Sequence, residues 1–129
     1  MDRELKILIA DRNRNVRNLL QRELFEGGYQ VLLAGEDREL LRLLQDEISI
    51  DLLILDPDIP SSLSIADLIR LIHIRQPAMP IVIYTFLEDG FNYSDLPGVA
   101  RCLAKGEDIR PLREMVTDVI RKYYQTQAS

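Results

Sequence analysis

The stretch Leu52-Leu53-Ile54-Leu55-Asp56-Pro57-Asp58-Ile59-Pro60 constrains this chain most. Four apolar residues run straight into an acid and then into a turn bracketed by prolines. A short apolar run without polar alternation reads as a strand buried on both faces. Pro57 and Pro60 cannot continue a ladder, so the strand stops at Asp56. A carboxylate is thereby set at the mouth of a buried sheet, as a turn residue or as a reactive group.

The flanking segments repeat one theme. Leu5 to Ala10 is a strand ended by Asp11. Val16, Leu19, Leu20 and Leu24 follow at helical spacing, and Gly27-Gly28 supplies the stop. Tyr29 to Leu33 is a second strand. A helix follows, carrying Leu40, Leu41, Leu43 and Leu44, with Glu36, Asp37 and Glu39 at its dipole-positive start. After the third strand, Ser64 and Asp67 have the spacing of a capping box, and Ile65, Leu68, Ile69 and Ile72 face inward on a helix that stops before Pro77. Ile81 to Thr85 is a fourth strand. Glu88 to Val99, interrupted by Gly90, Pro97 and Gly98, predicts a short or bent helix. Arg101 to Ala104 is a short fifth strand before Lys105-Gly106. The last helix carries Leu112, Met115, Val116, Val119, Ile120 and Tyr123 as one stripe, with Pro111 in its first turn. The tail from Gln125 to Ser129 is polar and expected to fray.

Strands alternating with helices at short spacing are the pattern of βαβ units. The expected fold class is α/β: a doubly wound, five-stranded parallel sheet of order 2-1-3-4-5, flavodoxin-like, with five helices of which the fourth is shortened or irregular. The 129 residues allow one domain, spanning 1–129, with one real core.

Net charge is −5, against a general binder of nucleic-acid backbone. Arg12, Arg14 and Arg17, flanked by Asp11 and Glu23, read as a solvated helix face. The single cysteine, Cys102, excludes an internal disulfide and fits a reducing compartment. No apolar stretch approaches the roughly 20 residues of a membrane span, and the start Met1-Asp2-Arg3-Glu4 has no signal-like apolar region. A cytoplasmic protein is expected.

In an open parallel sheet, ligands bind outside the carboxyl ends of the strands. Asp11, Asp56, Thr85 and Lys105 occupy those ends after strands one, three, four and five. The order 2-1-3-4-5 sets these strands side by side, so two carboxylates, a hydroxyl and an ammonium converge on one shallow pocket. Each alone is explained as a polar strand terminus; together they point to a functional site.

These residues bring a resemblance with them. Lys6-Ile-Leu-Ile-Ala-Asp11, Asp51-Leu-Leu-Ile-Leu-Asp56 with Pro60 four residues on, Pro80-Ile-Val-Ile-Tyr-Thr85 and Cys102-Leu-Ala-Lys105 together resemble the receiver domain of two-component response regulators, from Lys6 to Tyr123. The resemblance implies that Asp56 accepts a phosphoryl group from a phosphohistidine, that Thr85 bonds a phosphoryl oxygen and that Lys105 pairs with it. It implies that Asp11, Asp56 and Asp58, the last through its backbone carbonyl, hold Mg²⁺. The implied partners are a histidine kinase or phosphotransfer protein and a downstream protein or attached output domain, with room for a homodimer and with neither nucleic acid nor membrane bound directly. Such a chain is a bacterial signalling module in a phosphorelay and not an enzyme, apart from its own phosphorylation and dephosphorylation. The physics fits, because phosphoryl transfer is mainly positioning and charge neutralisation, and a new phosphate adds about −1.5 to −2 charge for a switch to read.

Three departures bear on this reading. Arg12 stands where the family has a second acid. It is expected to fold over Asp56 and take the metal's place, weakening Mg²⁺-dependent phosphorylation; the alternative is that it points to solvent while the Asp58 side chain serves the ion. Cys102 replaces the aromatic residue three before the lysine, so the usual coupling to Thr85 is missing or altered. Thr85 to Lys105 spans 20 positions, short for the family, which curtails the fourth helix and leaves Phe91 and Tyr93 either as an exposed patch or tucked over the core. His73, the lone histidine, is read as a packing or surface residue.

Two other functions compete. A pseudo-receiver that never accepts phosphate would serve as an interaction scaffold, with Arg12 and Cys102 in its support. A haloacid-dehalogenase-like phosphatase would use Asp56-Pro57-Asp58 as an Asp-x-Asp motif. That motif normally follows the first strand, however, and Glu107-Asp108 reads better as a helix start.

Overall fold

The computed structural model describes residues 4–46, 49–86 and 92–125. Strands β1 (Lys6–Ala10), β2 (Gln30–Ala34), β3 (Leu52–Leu55), β4 (Ile81–Thr85) and β5 (Val99–Ala104) form one sheet of order β2-β1-β3-β4-β5, and every neighbouring pair is parallel. Helices α1 (Arg14–Glu26), α2 (Asp37–Asp46), α3 (Ile65–Arg75) and α4 (Arg110–Ile120) pack on it. The doubly wound α/β architecture and strand order are those expected from the alternation of patterns.

The reason lies in burial on both faces. Leu52 to Leu55 are all buried, and their side chains alternate between two cores. Leu53 and Leu55 join Leu40, Leu44, Leu68 and Ile72 of α2 and α3. Leu52 and Ile54 join Leu20, Leu24, Leu112 and Val116 of α1 and α4 on the other face. A strand of this kind has no polar alternation because neither face meets water.

Local signals work as their chemistry dictates. Asn13 caps α1, its side chain accepting from the Asn15 and Val16 N–H groups. Gly27 follows the helix, and Gly28, at φ 95°, is the residue that takes the left-handed conformation. Ser64 caps α3 by accepting from the Asp67 N–H at 3.1 Å. Leu19 is the exception in the α1 stripe: it is exposed, while Leu20 and Leu24 carry the burial.

Four boundaries differ from the pattern reading. The strand β5 begins at Val99, two residues before the expected Arg101, because a register shift at Ile81/Val82 lets two residues of β5 pass one step of β4. Between β4 and β5 the described residues hold a 3₁₀ turn, Tyr93–Asp95, so four α-helices are described where five were expected. Tyr93 is buried in the core beside α3, so it forms no exposed patch; Phe91, with Glu88 and Gly90, lies outside the described residues. Helix α4 starts after Ile109, where Asp108 accepts the Arg110 N–H at 3.0 Å, and runs into a π-helical turn, Arg121–Gln125. The expected fraying of the tail falls on 126–129, also outside the described residues.

Candidate functional site

Ladder bonds extend one step past the strands and hold the site residues. The Asp11 N–H donates to the Ala34 carbonyl at 3.0 Å, Asp56 to Ala10 at 2.8 Å, and Lys105 to Thr85 at 2.8 Å. Ala10 pairs with Leu55, and Thr85 with Ala104. The four residues after strands one, three, four and five therefore reach one level, at the carboxyl edge of the sheet. Asp11, Asp56 and Thr85 are each 2% exposed.

Nearby charges explain how two carboxylates tolerate that burial. The Lys105 ammonium, on a side chain only 6% exposed, is 2.8 Å from Asp11 Oδ2 and 3.8 Å from Asp56 Oδ2. Arg12 reaches the same Asp56 oxygen, with Nε 3.7 Å from Asp56 Oδ2 and Nη2 3.8 Å from Asp58 Oδ2. Its side chain is half-exposed and sits over the acids, so of the two orientations left open for Arg12 the structure adopts the one over Asp56. Backbone groups complete the set. Asp11 Oδ1 accepts the Asn13 N–H at 2.8 Å, Asp56 Oδ1 the Asp58 N–H at 3.0 Å, and Asp56 Oδ2 the Arg12 N–H at 3.3 Å. Buried carboxylates need this kind of satisfaction.

The Thr85 hydroxyl donates to the Phe86 carbonyl at 3.3 Å. Phe86 is exposed, and its ring centroid lies 5.3 Å from the Lys105 ammonium, with the buried Tyr84 ring 5.9 Å away. Burial, with the Asp11 charge adding, pushes the Tyr84 hydroxyl above its ordinary range despite the opposing Gly106 backbone bond. Beside Lys105, a cavity of about 260 Å³ opens between Val16, Leu19, Leu20, Tyr84 and Phe86.

One sequence reading is amended here. The basic cluster is not one solvated helix face: Arg12 precedes α1 and reaches the acids, and Arg17 is half-buried, with Nη1 donating to the Asp11 carbonyl at 2.6 Å. Cys102 is half-buried, and burial raises its thiol. His73 packs against Gly98 and meets the Met79 carbonyl with Nε2 at 3.3 Å, consistent with its packing role. Arg17, Phe86 and Tyr84 went unassigned in sequence reasoning. Arg17 carried one usable signal, its place a helical turn into α1 directly after the Asp11 loop.

The described residues contain no group of three or more His, Cys, Asp or Glu side chains arranged to hold a metal ion. Nor is any described helix long and apolar enough to cross a membrane.

Residues 7–117 match the family model of the response regulator receiver domain. No curated protein matches the chain. Among solved structures, it is similar to the response regulator TrrA from Thermotoga maritima in complex with Mg²⁺-BeF, at 27% identity and TM-score 0.76, covering 89% of this chain and 98% of that one. TrrA in complex with the histidine kinase ThkA matches at 26% identity and TM-score 0.76, covering 90% and 98%. A CheY-like receiver domain from Methanospirillum hungatei, at 20% identity and TM-score 0.81 over 96% and 99% of the chains, shares the fold. With the acids, the hydroxyl and the lysine gathered at the carboxyl edge of a 2-1-3-4-5 sheet, this chain belongs to the response regulator receiver domain family of two-component signalling.

Proposed function

We propose that residues 1–129 act as one receiver domain whose phosphoacceptor is Asp56, and that Arg12 weakens its dependence on and affinity for Mg²⁺. The observation that carries this is the approach of two cations to one oxygen of Asp56, Arg12 Nε at 3.7 Å and Lys105 Nζ at 3.8 Å from Oδ2. Asp56 Oδ attacks phosphorus, the P–N bond of a phosphohistidine breaks, and its electron pair returns to the imidazole. An anion approaching an anion needs positive charge close by. Lys105 and Arg12 supply it here, and the Thr85 hydroxyl is the neighbouring donor for a phosphoryl oxygen.

The acids fit Mg²⁺ poorly. Asp11 Oδ2 is engaged by Lys105, and both Asp56 oxygens accept backbone N–H groups. Asp11 and Asp56 against Lys105 and Arg12 sum to zero, and Asp58 adds −1 beside Arg12. Octahedral Mg²⁺ keeps its waters unless carboxylates draw it in. The phosphodonor partner is a histidine kinase or phosphotransfer protein of the cytoplasm, as the kinase complex of TrrA suggests. The readout goes to a docked protein, a second copy or an attached output domain.

Intact-protein mass after incubation with acetyl phosphate, with and without Mg²⁺, tests this, with Asp56→Asn as control. A phospho-adduct on the parent chain alone, weakly stimulated by Mg²⁺, is expected. Full Mg²⁺ dependence at millimolar ion would remove the assigned role of Arg12. No adduct under either condition would favour the phosphorylation-independent scaffold, the reading that the Arg12 cover over Asp56 also serves. The phosphatase reading loses its support, since Asp56-Pro57-Asp58 follows the third strand of a receiver fold.

A further inference from the structure

Arg17 makes a contact that the proposed chemistry does not use. It enters α1 one turn after the Asn13 cap, and its guanidinium turns back over Gly35 to the Asp11 carbonyl. The approach is close: a Cβ on Gly35 would stand 3.0 Å from Arg17 Nη1 and 3.3 Å from its Cζ. That carbonyl belongs to the same peptide group as the Arg12 N–H, which donates to Asp56 Oδ2 at 3.3 Å. In a trans peptide the two poles point in opposite directions. One planar group is therefore held by a guanidinium at its oxygen and a carboxylate at its hydrogen.

We propose that Arg17 is a positioning residue for Asp56, acting through the single peptide group that joins Asp11 to Arg12. A cation on the carbonyl polarises the peptide and strengthens the donor at its far end, since hydrogen bonds in series reinforce one another where the dielectric is low. The same bond sets where the Arg12 backbone lies, and so carries the Arg12 side chain over Asp56 and Asp58. Asp11 is anchored on its remaining sides by the Ala34 carbonyl, the Asn13 N–H and the Lys105 ammonium. The loop thus has little freedom except through Arg17. The inference rests on Asp56 as phosphoacceptor only for its functional consequence; the hydrogen-bond relay stands without it.

The test reads the Arg12 amide directly, by its proton chemical shift and its hydrogen-exchange rate in the full chain. Arg17→Gln is expected to move the amide proton upfield and to speed its exchange about tenfold, the size of one charge-assisted bond. Arg17→Lys should restore part of the effect. Asp56→Asn should move the same amide, and adding Arg17→Gln to it should change little more. A purely structural Arg17 would lower Tm while leaving the Arg12 amide in place, and that result overturns the proposal. Should Arg17→Gln fail to fold, Arg17→Met removes the same donor while keeping the aliphatic stem; an unchanged Arg12 amide there is equally fatal. Acetyl phosphate labelling of the same variants is scored separately, so loss of the phosphoacceptor reading and loss of the relay are told apart.

Discussion

The Lys105 ammonium lies 2.8 Å from Asp11 and a further ångström away from Asp56. Its first partner is thus the acid after β1, not the phosphoacceptor candidate after β3. With both carboxylates 2% exposed, this cation is what makes their shared burial tolerable. Replacing it with an uncharged side chain takes the paired cation from Asp11 and leaves Asp56 with Arg12.

Lys105→Met is therefore expected to lower stability by about 3–5 kcal/mol, as for other buried pairs broken on one side. Lys105→Met combined with Asp11→Leu should recover part of that loss. Urea unfolding of the single and double variants measures both, and equal stability of Lys105→Met and the parent would refute the assignment.

Arg12→Ala should change stability by no more than about 1 kcal/mol, because a half-exposed ion pair is screened by water. Arg12→Asp should behave differently. It adds a third acid beside Asp11 and Asp56, lowering Tm in chelator and raising it on addition of millimolar Mg²⁺, since ligand binding to the folded state alone stabilises it. Thermal melts with and without the ion would decide; a Tm indifferent to Mg²⁺ would mean that the acids, not Arg12, limit the site.

Gly98 has φ 90°, and a Cβ there would stand 2.3 Å from His73 Cε1 and 2.6 Å from Nδ1. Gly98→Ala should destabilise the fold by about 1–3 kcal/mol through strain and collision together. His73→Ala in the same chain should relieve the collision and leave the strain. A double-mutant cycle by denaturant unfolding reads the coupling, and full additivity would show that the ring yields freely.

Burial raises the Cys102 thiol above its ordinary value. Only the thiolate is alkylated, so at mildly alkaline pH iodoacetamide should label the native chain more slowly than the unfolded one. The linked stability change has a definite sign. The unfolded chain releases this proton first as pH rises, so native stability should decline slightly between the ordinary and the raised thiol values, and Cys102→Ala should remove that decline. Native labelling as fast as unfolded labelling would contradict the burial of the thiol.

Much of this was legible in the residues themselves. The run Leu52–Leu55 has no polar alternation, and only a strand covered on both faces permits that. The placement of Asp11, Asp56, Thr85 and Lys105 followed from strand ends and strand order, because a parallel sheet brings all its carboxyl ends to one edge. The start of β5 did not, since a bulge leaves no mark in hydrophobic pattern. For Tyr93 the residues left open an exposed patch or a place over the core, and the 3₁₀ turn beside α3 puts it in the core.

Local chemistry thus determined the elements, their order and the residues at their ends. Which charge meets which was decided by the tertiary structure alone. Arg14 and Arg17 read alike along the chain, as cations on one helix face, and only the family resemblance set Arg12 apart as a residue to fold over Asp56. The bond from Arg17 past Gly35 to the Asp11 carbonyl appears only in the folded chain, where the pairing of β1 with β3 brings Asp56 beneath Arg12. Pairing of this kind depends on distances across the fold, between groups 44 residues apart for Arg12 and Asp56, and sequence periodicity carries no information about it.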